Sequence, residues 1–213
     1  MGSDRSDDGG GASTLRVEAR REFKLDHAAH RYPRLVSGWA VEQVVLPDGR
    51  RQVTGIFLPG ECVIASPLSR GDVSSLLAIT PLELHFEKVP SQEDAIAMLR
   101  AEIDRHLLQG FRAVVRLGCM TAYEKTANLL LEVVERVGAA NGETIDFPLT
   151  QELLADLLGL SQVHLNRTLQ QLRRDGLIEL QSGRLAILDR ALLLNSAHYR
   201  TLFPPSGPSD RAG

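Results

Sequence analysis

The chain has 213 residues, a formal net charge of −3 and 43% hydrophobic residues, which fits one large or two small soluble domains. That charge excludes a generally basic coat for nucleic acid, and no run of about 18 apolar residues is present, which excludes a helical membrane span. The two cysteines, Cys62 and Cys119, are too few for a four-thiolate iron–sulfur site within one chain. They read as reduced thiols of a cytoplasmic protein, with a redox switch as the alternative.

In chain order, MGSDRSDDGGGAST lacks the apolar core of a signal peptide, and residues 1–14 are expected to be disordered. Residues 15–90 read as strands. Short β-friendly runs at 16–19, 22–25, 34–36, 40–46, 52–58, 74–79 and 82–87 alternate with turn signals. Pro47-Asp48-Gly49 marks one hairpin turn and Leu58-Pro59-Gly60-Glu61 another. Strands this closely spaced suggest a jelly-roll-like barrel, with Trp39 covering it.

Residues 91–117 change period. Ile96, Ile103, Gly110 and Leu117 recur every seventh residue, and Leu107 and Val114 lie four after two of them. The spacing predicts a long helix that pairs with a second copy of itself through Ile96, Leu99, Ile103, Leu107, Gly110 and Val114. The alternative is a helix packed only on its own barrel. His106 reads as interfacial or solvated rather than as a metal ligand. A further helix is expected over 121–137, with Ala122, Leu129, Leu130 and Val133 turned inward. Residues 138–146, which include Asn141-Gly142, read as a loop.

Residues 149–188, LTQELLADLLGLSQVHLNRTLQQLRRDGLIELQSGRLAIL, carry the densest signal. Thr150 is placed to cap a helix. Glu152 suits the positive end of its dipole, and Leu153, Leu154, Leu157 and Leu158 form one apolar face. Gly159 ends that helix, because glycine accepts the left-handed conformation of a sharp C-cap. Ser161 caps a second helix whose buried stripe is Leu165, Leu169 and Leu172. At 100° per residue, Val163, Arg167, Gln170 and Arg174 point away from the stripe, with Asn166 at the flank and Gln162 in the first turn. A hairpin follows, with inward Ile178, Leu180, Leu185 and Ile187 around Gln181-Ser182-Gly183. Arg184 at its tip reads equally as a phosphate contact or a solvated residue. Helix, tight turn, helix and hairpin predict a winged helix-turn-helix whose second helix enters a DNA major groove. Arg167, Arg173 and Arg174 against Asp175 make residues 161–175 locally positive despite the negative total. An ordinary solvated amphipathic helix is the competing reading of that polar face.

The segment FPLTQELLADLLGLSQVHLNRTLQQLRRDGLIEL resembles the DNA-binding domain of the Crp/Fnr family of bacterial transcription regulators. LVSGWAVEQVVLPDGRRQVTGIFLPGE at 35–61 is similar to that family's sensory β-roll. The resemblance implies an α+β chain: a β-roll with the cyclic-nucleotide-binding-domain fold at 15–90, a dimerisation helix at 91–117 and a winged helix-turn-helix at 118–195. It also implies a hinge at Leu117-Gly118, and a disordered tail at 204–213 is expected beyond these domains. By match, Gln162, Val163 and Arg167 read bases. Thr150, Gln151, Ser161 and His164 approach phosphates, with Asn166, Gln170, Arg174 and Arg184 as further flank or phosphate candidates. Several members carry a Glu where this chain has Val163, so its half-site is expected to differ from theirs: valine offers only an apolar contact, such as to a thymine methyl. The implied partners are double-stranded DNA, a second copy of the chain and, for an activator, RNA polymerase.

Members that bind a cyclic nucleotide present Gly-Glu and then Arg-Ser or Arg-Thr. Here Ile64 and Ala65 fall at the Gly-Glu position, and Asp72 falls near that of the phosphate-binding Arg. An aspartate disfavours an anionic phosphate; Arg70 would substitute only through a shifted loop. Gly60-Glu61 aligns better with the preceding turn. The sequence therefore argues against a cyclic nucleotide and assigns no cofactor. A haem would need His27, His30, His85 or Cys62 as axial ligand, and haem or another small effector stays open. No metal site is expected. His27 and His30 form HxxH without a second cluster, and there is no glycine-rich nucleotide loop or nucleophile elbow. An enzyme is thus not expected. A protein-interaction adaptor that has lost DNA binding is the remaining alternative.

Overall fold

The computed structural model describes residues 3–7, 13–25, 31–63, 74–88, 91–139 and 143–199. They run β1 (Ser3–Asp7), β2 (Ser13–Val17), β3 (Glu22–Phe23), β4 (Arg31–Ser37), β5 (Ala40–Val45), β6 (Arg51–Phe57), β7 (Ser74–Ala78), β8 (Leu82–Lys88), α1 (Gln92–Cys119), α2 (Ala122–Val137), β9 (Thr144–Asp146), α3 (Gln151–Leu158), α4 (Gln162–Arg174), β10 (Ile178–Gln181), β11 (Arg184–Ile187) and α5 (Arg190–Ser196). The expected α+β class is found. Residues 140–142 and the tail from 200, with the readings made there, lie outside the described residues.

Contacts divide the chain into two compact units. The first takes residues up to Val114 together with Pro148–Gly159. The second takes Val115–Phe147 and the chain from Leu160. Helix α3 therefore groups with the strands, whereas the sequence suggests a continuous C-terminal domain from residue 118.

In the first unit, two four-stranded antiparallel sheets, ordered β1-β2-β8-β4 and β3-β7-β5-β6, share one core. Alternation in each strand turns Leu15 and Val17 of β2, Ala40 of β5, Leu76 and Ala78 of β7, and Leu82, Leu84 and Phe86 of β8 into it. Trp39 is buried beside the β4–β5 turn, as expected. That turn needs Gly38, whose φ is +85° and whose missing Cβ would lie 2.3 Å from the Pro81 carbonyl oxygen. Leu58-Pro59-Gly60-Glu61 closes a turn with proline second and a positive-φ glycine third, the type II pattern. Residues 3–7, expected to be disordered, instead form β1, paired with β2 from Ser3↔Val17 to Asp7↔Ser13. Backbone groups alone make such a ladder, so low hydropathy did not reveal it.

Helix α1 begins at Ser91, whose hydroxyl oxygen accepts from Asp94 N at 3.1 Å. It runs on through Leu117 and Gly118 to Cys119, so the expected hinge at Leu117-Gly118 is continuous helix. One glycine costs a helix only about 1 kcal/mol. The break comes instead at Thr121, which forms a full capping box with Glu124 at the start of α2.

The second unit packs α2 against α4 and α5, beside a sheet ordered β10-β11-β9. Leu129, Leu130 and Val133 are buried, and Ala122 is half-buried. Strand β9 was expected to be loop. It is only three residues long and alternates Thr-Ile-Asp, with Ile145 buried opposite Leu185, too short a pattern to stand out.

Candidate nucleic-acid interface

Helix α3 presents its N-terminus through Thr150, whose Oγ1 accepts from Leu153 N at 3.2 Å. The hydroxyl hydrogen stays available to an outside acceptor. Gln151 is exposed in the first turn. Leu153, Leu154 and Leu158 are buried and Leu157 is half-buried. Gly159 ends the helix in the left-handed region at φ 57°, donating to Ala155 O.

Helix α4 starts in the same way. Ser161 Oγ accepts from His164 N at 3.2 Å, and its hydroxyl hydrogen is likewise free to donate. Leu165, Leu169 and Leu172 have no solvent exposure. Thr168 is also buried and satisfies its hydroxyl by donating to His164 O at 3.0 Å. The other face is open: Gln162, Val163, His164, Asn166, Arg167, Gln170 and Arg174 are all exposed. Val163 is 65% exposed, a cost for an isopropyl group that packing within this chain does not recover.

Hydrogen bonds sort the charges near this face. Arg173 Nη2 donates to Leu180 O at 2.6 Å and so braces α4 against β10. Arg174 Nη2 donates to Gln171 Oε1 at 2.7 Å, and Gln171 Nε2 donates to Asp175 Oδ1 at 2.8 Å. Asp175 Oδ2 accepts from Tyr123 Oη at 2.7 Å. Burial, reinforced by that carboxylate, pushes the Tyr123 phenol up to about 12. Arg167 makes no hydrogen bond or ion pair to another side chain among the described residues, and the same holds for Gln162, Asn166 and Gln170. Counting charges in 161–175 treated three arginines alike; the geometry commits Arg173 to the wing.

The wing pairs Ile178↔Ile187 and Leu180↔Leu185, and Gln181↔Arg184 closes the ladder. Gln181 belongs to β10, so the loop has two residues rather than the expected three. Ser182 and Gly183 both have positive φ, 51° and 74°, which is the hairpin turn whose twist matches the flanking strands. Ile178, Leu185 and Ile187 are buried, Leu180 is half-buried and Arg184 is exposed.

On α1, exposure and polarity run opposite to a self-sufficient chain. Glu102, Arg105, His106 and Gln109 are half-buried, and the His106 ring stacks on Phe57 at 5.8 Å. Ile96, Leu99, Ile103, Leu107 and Val114 are 38–68% exposed, and Gly110 has open space at its Cβ position. Phe111, at 68% exposed, and Leu108 join this apolar face. The seven-residue period did not include them, although Phe111 stands four residues after Leu107.

Residues 124–196 match the model of the Crp-like helix-turn-helix domain. The transcriptional activator protein FnrL of Cereibacter sphaeroides is 33% identical over 188 residues, covering 82% of this chain and 74% of FnrL. The chain belongs to the Crp/Fnr family. As a Crp/Fnr protein it is a DNA-binding transcription regulator. The structure of FixK2 from Bradyrhizobium japonicum superposes with a TM-score of 0.72 at 25% identity, covering 86% of this chain and 96% of FixK2. TTHA1359 of Thermus thermophilus, a Crp/Fnr family regulator, shares the fold at a TM-score of 0.65 and 18% identity over 87% of this chain and 98% of its own.

For a family with ligand-gated members, the interior of the roll matters. Glu61 Oε2 accepts from Leu58 N at 2.9 Å and so serves its own turn. Glu42 is 3% exposed on the core-facing side of β5 and accepts from Ser74 Oγ at 3.1 Å. His85 Nε2 lies 2.7 Å from Glu83 Oε1; this contact, with Arg16 on the same carboxylate, holds Glu83 below the usual carboxylate range. Cys62 is buried and Cys119 exposed, and neither is in a disulfide. No group of three metal-ligating side chains occurs among the described residues. His27, His30, Ile64, Ala65, Arg70 and Asp72 lie outside them.

Proposed function

We propose that this regulator binds as a homodimer to a pseudo-palindromic operator, with α4 of each protomer in successive major grooves about one helical turn apart. Gln162, Val163 and Arg167 read base edges. Thr150, Gln151, Ser161 and His164 contact flanking phosphates, and Asn166, Gln170, Arg174 and Arg184 border the footprint. Arg167, exposed and without a side-chain partner among the described residues, beside an exposed Val163 carries this reading: the guanidinium suits guanine and the isopropyl group a thymine methyl. Dimerisation rests on the bare apolar face of α1, Ile96 to Val114, whose polar face is the half-buried one. An activator of this type would also meet RNA polymerase. The protein works in the cytoplasm and catalyses no reaction.

Control by a cyclic nucleotide does not fit the roll, because Glu61 is engaged in a turn, Glu42 is already buried inside and the sequence puts Asp72 near the position of the family's phosphate-binding Arg. The deciding experiment is selection of bound sites from random DNA, run with and without cell-extract metabolites. An inverted repeat with half-sites about one turn apart is expected. Recovery of no enriched sequence refutes the DNA-reading assignment. Enrichment only in the presence of a metabolite would reveal haem or another small effector.

A further inference from the structure

Helix α3 carries two acidic side chains, Glu152 and Asp156, four residues apart on one face. Like charges at that spacing repel and weaken a helix. They also lie on the helix whose N-terminus is assigned to DNA phosphates. Both meet Arg51, the first residue of β6. Arg51 Nη2 lies 2.7 Å from Glu152 Oε1 and 2.6 Å from Asp156 Oδ2, and Arg51 Nε donates to Asp156 Oδ2 at 2.7 Å. The neighbouring Gln52 donates through Nε2 to the Asp156 backbone carbonyl.

The turn before β6 makes Arg51 the arginine that reaches α3. Leu46 N donates to Arg50 O and Gly49 N to Leu46 O, closing the hairpin around Pro47-Asp48-Gly49. Asp48 then draws back its neighbour, accepting from Arg50 N at 3.1 Å and Arg50 Nε at 2.8 Å. Arg50 is thereby occupied on the turn. The side chains of Arg51 and Asp156 are only about a quarter exposed, 25% and 24%. A forked, partly desolvated pair resists salt screening better than an open surface pair.

We propose that Arg51 is a positioning residue for DNA binding: from the roll, it clamps α3 and neutralises Glu152 and Asp156 close to the phosphate-facing N-terminus. This rests on the DNA-reading assignment above. With Arg51 gone, α3 loses its charged anchor and keeps two carboxylates that repel phosphate.

The test uses the full chain and the selected operator. Arg51→Ala, Arg51→Lys and the charge swap Arg51→Asp with Asp156→Arg are compared with wild type for operator affinity and for amide exchange across 151–158. Trp39 emission reports that the roll stays folded. Arg51→Ala is expected to bind roughly tenfold more weakly, within the range for residues that act without touching the ligand. It should also exchange faster in α3. Arg51→Lys, which keeps the charge without the fork, is expected between the two, and the swap should regain most of the loss. Arg51→Ala affinity within about twofold of wild type, unchanged exchange in α3, or a swap no better than Arg51→Ala each overturns the proposal. A wild type that selects no DNA overturns instead the reading on which the proposal rests.

Discussion

Replacing Arg116 tests the most deeply buried charge pair described in the chain. Arg116 on the last turn of α1 is 4% exposed and pairs through Nη2 with Glu132 Oε2 of α2, itself 4% exposed. Arg116 Nε donates to Asn128 Oδ1 at 3.1 Å, and Asn128 Nδ2 donates to Ala197 O just beyond α5, also at 3.1 Å. Removing one partner of such a pair leaves an uncompensated buried charge, at a cost of about 3–5 kcal/mol. Arg136 Nη1 still lies 3.3 Å from Glu132 Oε1, which places Arg116→Met near the lower end, at about 3 kcal/mol. For a chain of this size each kcal/mol shifts Tm by about 2–4 °C, so a fall of roughly 6–12 °C is expected. Arg116→Met combined with Glu132→Met removes both charges and should recover most of that loss. Urea and thermal unfolding followed by far-ultraviolet circular dichroism measure both variants. A single variant within about 1 kcal/mol of wild type, or a double variant no more stable than the single, would refute the reasoning.

Arg167→Ala should cost about 1–3 kcal/mol on the selected operator and relax preference at one base of each half-site; equal weakening on all sequences would make it a phosphate contact. Ile103→Glu with Leu107→Glu should yield monomers in sedimentation while leaving helix content unchanged, because both side chains are already exposed in the single chain; a persistent dimer refutes the α1 interface. The raised Tyr123 pKa favours the neutral phenol in the folded chain. Its stabilising contribution is therefore complete below the ordinary value of 10.0 and disappears as pH rises through about 12. Ultraviolet titration should show one late-ionising phenol fewer in Tyr123→Phe than in the wild type, and the same number of late phenols in both proteins contradicts the assignment.

What was legible in the sequence followed from local chemistry. Thr150, Gly159 and Ser161 act at helix ends through their own side chains or backbone freedom, so the limits of α3 and α4 could be read from single residues. The stripe Leu165, Leu169 and Leu172 and its exposed reverse follow from periodicity alone. The missed features depend on partners that periodicity and end signals do not specify, whether near or far in sequence. Arg51 finds Asp156 more than a hundred residues away, and Arg173 finds a carbonyl on β10. Strand β1 exists through pairing with β2. At Leu117-Gly118 the family resemblance implied a hinge, although the helix is continuous there and Arg116, within the same last turn, is tied to Glu132.

The path of the chain through its two compact units has a consequence for recombination. The backbone passes between them at Val114/Val115, at Phe147/Pro148 and again at Gly159/Leu160. No single cut separates the roll from the reading head. A chimera spliced after α1 would bring a foreign counterpart of α3 to this hairpin, or this α3 to a roll without Arg51. Exchange of sensors among such regulators is thus constrained by one helix, whose acidic pair must be matched by whichever roll it joins.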